Sequence, residues 1–220
     1  MNIYPALLSD SLAQLQEQLD RIQPVDALET VQIDVIDGYF ADNMTVTPSD
    51  LPELNFGRLR CDIHLMTIDP LDYVHELVPR HDELPIRAVI AQVEKMHHQD
   101  HFLEEVQKQG WEPGLSLDIF TPIAEGIEED SWQFLKVVQL MSIEAGFQGQ
   151  QFNDLVLEKV TELQQIAADR KLDFEIMLDG GINQDTITKV SQAGVKSVVV
   201  GSALWKSESI SETIQTLGST

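Results

Sequence analysis

Apolar, β-rich runs alternate with longer amphipathic stretches from one end of the chain to the other. The apolar runs predict strands over 2–8, 31–36, 60–65, 86–92, 113–118, 135–141, 174–178 and 196–200. Helices are predicted between them near 10–22, 49–56, 69–78, 98–109, 123–130, 153–169 and 184–193, with a last one near 207–217. Leu155, Leu157, Val160, Leu163, Ile166 and Ala167 repeat with the helical period rather than by alternation. The run Val195-Lys196-Ser197-Val198-Val199-Val200 reads as a buried parallel strand. Asp10, Asp69 and Asn183 stand where helix N-caps belong.

Eight strand-then-helix units follow one another with no linker or low-complexity stretch between them. Strict alternation implies parallel strands, and eight units suggest closure into a (β/α)8 barrel, here a single domain over 1–220. An open doubly wound sheet is the alternative. It would favour a glycine-rich first turn, which Ser9-Asp10-Ser11 is not.

Composition narrows the function classes. Hydrophobic residues make up 43% of the chain, enough for a sizeable core, yet no apolar run reaches the length of a membrane span. The start, Met1 to Leu8, has no basic segment and reads as a strand rather than a signal peptide. Cys61 is the only cysteine, so no internal disulfide can form, and a reducing, cytoplasmic location is expected. Lys and Arg number 14 against 37 Asp and Glu, a net charge of −23. That field repels nucleic-acid backbones and excludes nucleic acid as a partner. A phosphorylated substrate would have to be held by backbone N–H groups at glycine turns and helix N-termini.

In a closed barrel the chemistry sits at the C-terminal ends of the strands. Those ends are Ala6, Asp34, His64, Gln92, Asp118, Met141, Asp179 and Gly201. Asp34 lies inside an apolar strand, where it is either at the rim of a site or a capping residue; the cost of an unpaired buried carboxylate favours the rim. Asp179 by itself is as well explained as the cap of a tight turn, and His64 as a hydrogen-bonded core histidine. Glycine turns follow strands six, seven and eight: Gly146-Phe147-Gln148-Gly149, Gly180-Gly181 and Gly201-Ser202. Short turns need glycine in any case. Barrels also bind phosphate at the loops after strands seven and eight, and exposed amides there suit an anion without any lysine.

Several blocks carry a resemblance. They are Asp34-Val35-Ile36-Asp37-Gly38-Tyr39-Phe40, Asp62-Ile63-His64-Leu65-Met66, Met141-Ser142 with Gly146-Phe147-Gln148-Gly149-Gln150, Leu178-Asp179-Gly180-Gly181, and Gly201-Ser202-Ala203. In this order and spacing they are similar to the ribulose-phosphate 3-epimerase family, over nearly the whole chain. The resemblance implies a (β/α)8 barrel that inverts the carbon beside the ketone of a ketose phosphate, commonly with a divalent metal. It implies Asp34 and Asp179 as the two acid/base groups on opposite faces of an enediolate, both also metal ligands. His64 would contact substrate and serve as a third ligand. Gly146, Phe147, Gln148, Gly149, Gly180, Gly181, Gly201 and Ser202 would hold the substrate and its phosphate.

The resemblance breaks at the rim. Gln32 stands where the family has a metal-ligating histidine, and an amide is a weaker, harder donor than imidazole. Ala6 replaces a serine, Gln92 a histidine, Asp118 an asparagine, Ala145 a proline, Gln148 a glycine and Ile36 a methionine. Zinc, manganese and iron(II) are the candidate ions, with the amide favouring the harder two. Three readings compete. The first is a 3-epimerase for a pentulose or hexulose phosphate. The second is a catalytically impaired sugar-phosphate-binding relative, favoured by Gln32 and Ala6. The third is a barrel lyase or decarboxylase, which would want a lysine at a strand end; the nearest, Lys95 and Lys136, lie beyond strand four and near the start of strand six. Helix-lined barrels often associate, and a homo-oligomer is compatible with the sequence, although nothing in it fixes a number.

Overall fold

The computed structural model describes residues 1–147 and 149–219. Eight parallel strands form a closed barrel in sequence order. They are β1 (Asn2–Leu7), β2 (Thr30–Ile36), β3 (Arg60–Met66), β4 (Ile86–Gln92), β5 (Glu112–Leu117), β6 (Val137–Met141), β7 (Glu175–Asp179) and β8 (Ser197–Val200). Each agrees with its predicted strand to within about two residues. The helices are α1 (Leu12–Ile22), α2 (Pro70–Leu77), α3 (Gln99–Lys108), α4 (Ile123–Gly126), α5 (Leu155–Arg170), α6 (Ile187–Gln192), α7 (Ser202–Trp205) and α8 (Ile210–Gly218). The fold is therefore a (β/α)8 barrel.

Several details differ from the sequence reading, among them α4, which stops at Gly126 instead of running on to 130. The segment after β2 forms only a 3-10 helix, Pro48–Glu53, because Pro52, inside it, lacks the amide donor that an α-helix would use. Helix α1 is capped by position at Ser11 rather than Asp10, and α6 at Thr186 rather than Asn183. Asn183 still prepares α6, since its side-chain oxygen accepts from the amides of Asp185 and Thr186. Asp69 is the N-cap of α2, without a side-chain hydrogen bond. The short helix α7, directly after β8, was not anticipated.

The period-two alternation of the strands divides the core. Outward residues such as Val31, Ile33, Val35, Ile63 and Leu65 join the helices in one large apolar cluster. Inward residues Tyr4, Ala6, Ala88, Ile90, Val137, Met177 and Val199 fill the barrel. At the N-terminal end of the strands Arg87 forms a bidentate pair with fully buried Asp62, and its Nη1 reaches Glu175 at 2.8 Å. This polar plug closes the bottom and leaves the C-terminal end as the open mouth. Burial pushes the Asp62 carboxyl up to about 6 despite the guanidinium beside it.

Candidate active site

Strand parity assembles the site. Gln32 and Asp34 both face inward from β2. Register places Asp34 beside His64 across β2 and β3, and Asp179 beside Met141 across β7 and β6. The side chain of Thr45 fixes the end of β2, accepting from the Ile36 amide and donating to the Asp34 carbonyl. On the other wall Ser142 donates from its amide to the Asp179 carbonyl at 2.8 Å, and its hydroxyl bonds the Gly180 carbonyl. Both carboxylates thus stand on fixed backbone.

Asp34, His64 and Asp179 meet as the resemblance implies. His64 Nδ1 lies 3.1 Å from Asp34 Oδ1 and 4.0 Å from Asp179 Oδ2. All three are buried. One ligand atom from each falls within 4.8 Å of the others, so this group could bind a divalent metal. Gln32 lies among them: its Nε2 donates to Asp34 Oδ1 at 2.9 Å and to Asp179 Oδ2 at 2.8 Å. The metal position suggested for Gln32 therefore holds its amide group, with nitrogen rather than oxygen turned to the carboxylates.

Gln139, on β6, is a site residue that the sequence reading missed. It is fully buried, and its Nε2 donates to Asp179 Oδ2 at 3.2 Å and lies 3.3 Å from His64 Nδ1. Its one signal was parity. Gln139 shares the inward face with Met141, inside the otherwise apolar run Val137-Val138-Gln139-Leu140-Met141. The oxygens of Gln32 and Gln139 are both buried without a hydrogen-bond partner, a cost of about 1–3 kcal/mol each.

Gln92 stands behind His64, its amide 3.4 Å from Nε2. Turned so that both ends are satisfied, it donates to the Ser116 carbonyl at 3.0 Å and to Glu94 at 2.8 Å, and accepts from the Ser116 hydroxyl at 3.1 Å. The oxygen then lies beside Nε2 and favours a proton there, leaving Nδ1 to face the carboxylates. Burial first, and the neighbouring Asp34 charge second, push Asp179 up to about 7.

The glycine turns converge on the same mouth. Gly146, Phe147 and Gly149 line one side, with Phe147 partly exposed; Gly180, Gly181, Gly201 and Ser202 line the other. Gln148 lies outside the described residues. Gly181 has φ +60°, and a Cβ there would stand 2.6 Å from the Phe152 amide nitrogen, so only glycine fits. Asn43 Nδ2 donates to the Gly146 carbonyl at 2.9 Å, tying the turn after β6 to the loop after β2. Helix α7 begins at Ser202, so its first amides have no partner within the helix.

No lysine or arginine is among the described residues lining the mouth. Lys95 is occupied on the carbonyls of Tyr39 and Phe40, and Lys136 precedes β6 at the opposite end of the barrel. Asp118 is also away from the centre, where its Oδ2 accepts from the Ala145 amide at 3.2 Å.

The model of the family described as "Ribulose-phosphate 3 epimerase family" matches residues 2–205. A ribulose-phosphate 3-epimerase of Helicobacter pylori is 30% identical over 213 residues, covering 94% of this chain and 92% of its own length. That of Bacillus subtilis is 30% identical over 207 residues, covering 93% and 92%. Among solved structures, a tryptophan synthase α-subunit from Pyrococcus furiosus has a TM-score of 0.67 at 12% identity. It covers 100% of this chain and 98% of its own, a likeness of fold alone.

Proposed function

Since the chain belongs to the ribulose-phosphate 3-epimerase family, we propose that it is an isomerase that inverts C3 of a ketose phosphate by proton transfer between Asp34 and Asp179. The observation that carries this reading is the pair of buried carboxylates held together by one amide, Gln32. One carboxylate removes the C3 proton from one face, and the other returns a proton from the opposite face. Burial excludes water from the carbanionic stage and lets fixed N–H dipoles act strongly on the developing charge.

The donor set of Asp34, His64 and Asp179 fits a divalent ion, and these residues would hold it. When bound, zinc, manganese or iron(II) supplies Lewis-acid stabilisation of the charge formed at deprotonation. The sugar phosphate would rest its anionic end on the amides of Gly181, Gly201 and Ser202, under the turn that contains Gly146 and Gly149. This arrangement needs no basic side chain, in keeping with the mouth's composition. Both pentulose and hexulose phosphates are candidate substrates; Ala6, which removes a hydroxyl from the rim, bears on which is preferred.

The decisive measurement is C3-proton exchange into deuterated water, followed by NMR for ribulose 5-phosphate and for hexulose 6-phosphates, with manganese or zinc present. Exchange with at least one of these is expected. Tight binding of the same compounds without exchange would favour a sugar-phosphate-binding relative instead.

A further inference from the structure

We propose that Gln139 is a ligand to a divalent cation, paired with Gln32 across the barrel, so that Asp34, His64, Asp179 and two amide oxygens form a five-donor site. The proposal rests on the metal-assisted reading above and extends it to a residue outside that donor set.

Position is the first ground. Gln32 on β2 and Gln139 on β6 enter the cavity from different walls, both without solvent exposure. Each contacts both Asp179 Oδ2 and His64 Nδ1; Gln32 also donates to Asp34 Oδ1, and Gln139 also lies near His64 Nε2 and Met141 Sδ. Their opposite ends meet nothing that can hydrogen-bond to them. A leucine or methionine would fill such a niche without leaving a polar atom stranded, so the reason for an amide lies at the centre of the cluster.

Spacing is the second. Neighbouring ligands of an octahedral ion with bonds of about 2.1 Å stand about 3 Å apart, and opposite ligands about 4.2 Å. Gln32 Nε2 is 2.9, 2.8 and 3.4 Å from Asp34 Oδ1, Asp179 Oδ2 and His64 Nδ1. Gln139 Nε2 is 3.2 and 3.3 Å from Asp179 Oδ2 and His64 Nδ1. His64 Nδ1 is 3.1 Å from Asp34 Oδ1 and 4.0 Å from Asp179 Oδ2. These separations serve hydrogen bonds while the amide nitrogens face inward, and they also match the spacing that ligands sharing one ion would need once the oxygens turn inward.

Chemistry is the third. A half-turn about the last side-chain bond exchanges the nitrogen and oxygen of a glutamine amide in nearly the same place. With nitrogen inward, Gln32 and Gln139 donate to the carboxylates; with oxygen inward, they coordinate. The resulting set of four oxygens and one nitrogen favours manganese, iron(II) or magnesium over zinc.

Manganese(II) titration, read by the EPR signal of the free ion and by calorimetry, tests the assignment on the full chain. Q139L, which is similar in volume, should weaken manganese binding by about 10–100-fold, while Q139E should restore or exceed wild-type affinity. Rescue by the added carboxylate distinguishes a ligand from a packing residue, and circular dichroism checks that each variant is folded. Equal manganese affinity in wild type and Q139L would overturn the proposal, as would a wild-type protein that binds no manganese. C3-proton exchange followed in parallel separates the two readings. Exchange without manganese binding sinks the five-donor site but leaves the epimerase reading standing. Gln139-dependent binding without exchange does the reverse.

Discussion

At the proposed site, the chemistry would rest on single side chains. Asp34→Asn or Asp179→Asn should lower C3-proton exchange by about 10²–10⁴-fold, the usual contribution of a positioned acid/base. Circular dichroism should remain native, and wild-type exchange in either variant would remove that residue from the mechanism. Gln32→His supplies an imidazole at a fully buried position within 3 Å of both carboxylates. Zinc affinity measured by calorimetry should rise at least about tenfold, because zinc prefers nitrogen to an amide oxygen; equal affinity would show that Gln32 is no handicap to zinc. Asp34 was legible as a mouth residue because a carboxylate inside an apolar strand has few other places to go. His64 and Asp179 stood out only through the resemblance, since a core histidine and a turn cap look the same in the sequence. Gln139 was not legible, because one glutamine inside a strand looks the same whether it faces a cavity or water. Only the closed barrel assigns its parity a direction.

The strands were legible almost to the residue because buried parallel strands are continuous apolar runs bounded by polar segments. Shorter pieces were less so. Helix α7 has four residues, too few for any period, and its start is dictated by how the chain leaves β8 rather than by local propensity. On the proposed reading, the turn after β7 would contribute amides to phosphate capture. Gly181→Ala should destabilise the fold by at least about 1–2 kcal/mol, the cost of a left-handed backbone for an L side chain, since Phe152 also obstructs the added methyl. Urea unfolding measures that loss, and inorganic phosphate should inhibit exchange less well in the same variant. Unchanged stability and inhibition would mean that this turn relaxes freely and does not hold the anion.

For the molecule as a whole, two buried carboxyls keep protons in the fold that they would release on unfolding: Asp179, pushed up to about 7, and Asp62, to about 6. A folded pKa above the unfolded one means the native state binds more protons between about pH 4 and 7. In the presence of EDTA, stability should therefore fall as pH rises through that window, and Asp179→Asn should flatten the fall. A chelated wild type that grows steadily more stable from pH 4 to 7 would contradict both assignments. The absence of lysine and arginine among the described residues of the mouth also has a kinetic meaning. If the substrate is a sugar phosphate, as proposed, it would approach a chain of net charge −23 against the long-range field and would be captured only at contact range, by dipoles too short-reaching to guide it. Added monovalent salt screens the repulsion over a Debye length of about 10 Å at 0.1 M and leaves the buried dipoles almost untouched. Association should thus quicken between low and moderate ionic strength, so that kcat/KM climbs with salt, whereas a mouth lined with cations would lose its steering and slow down.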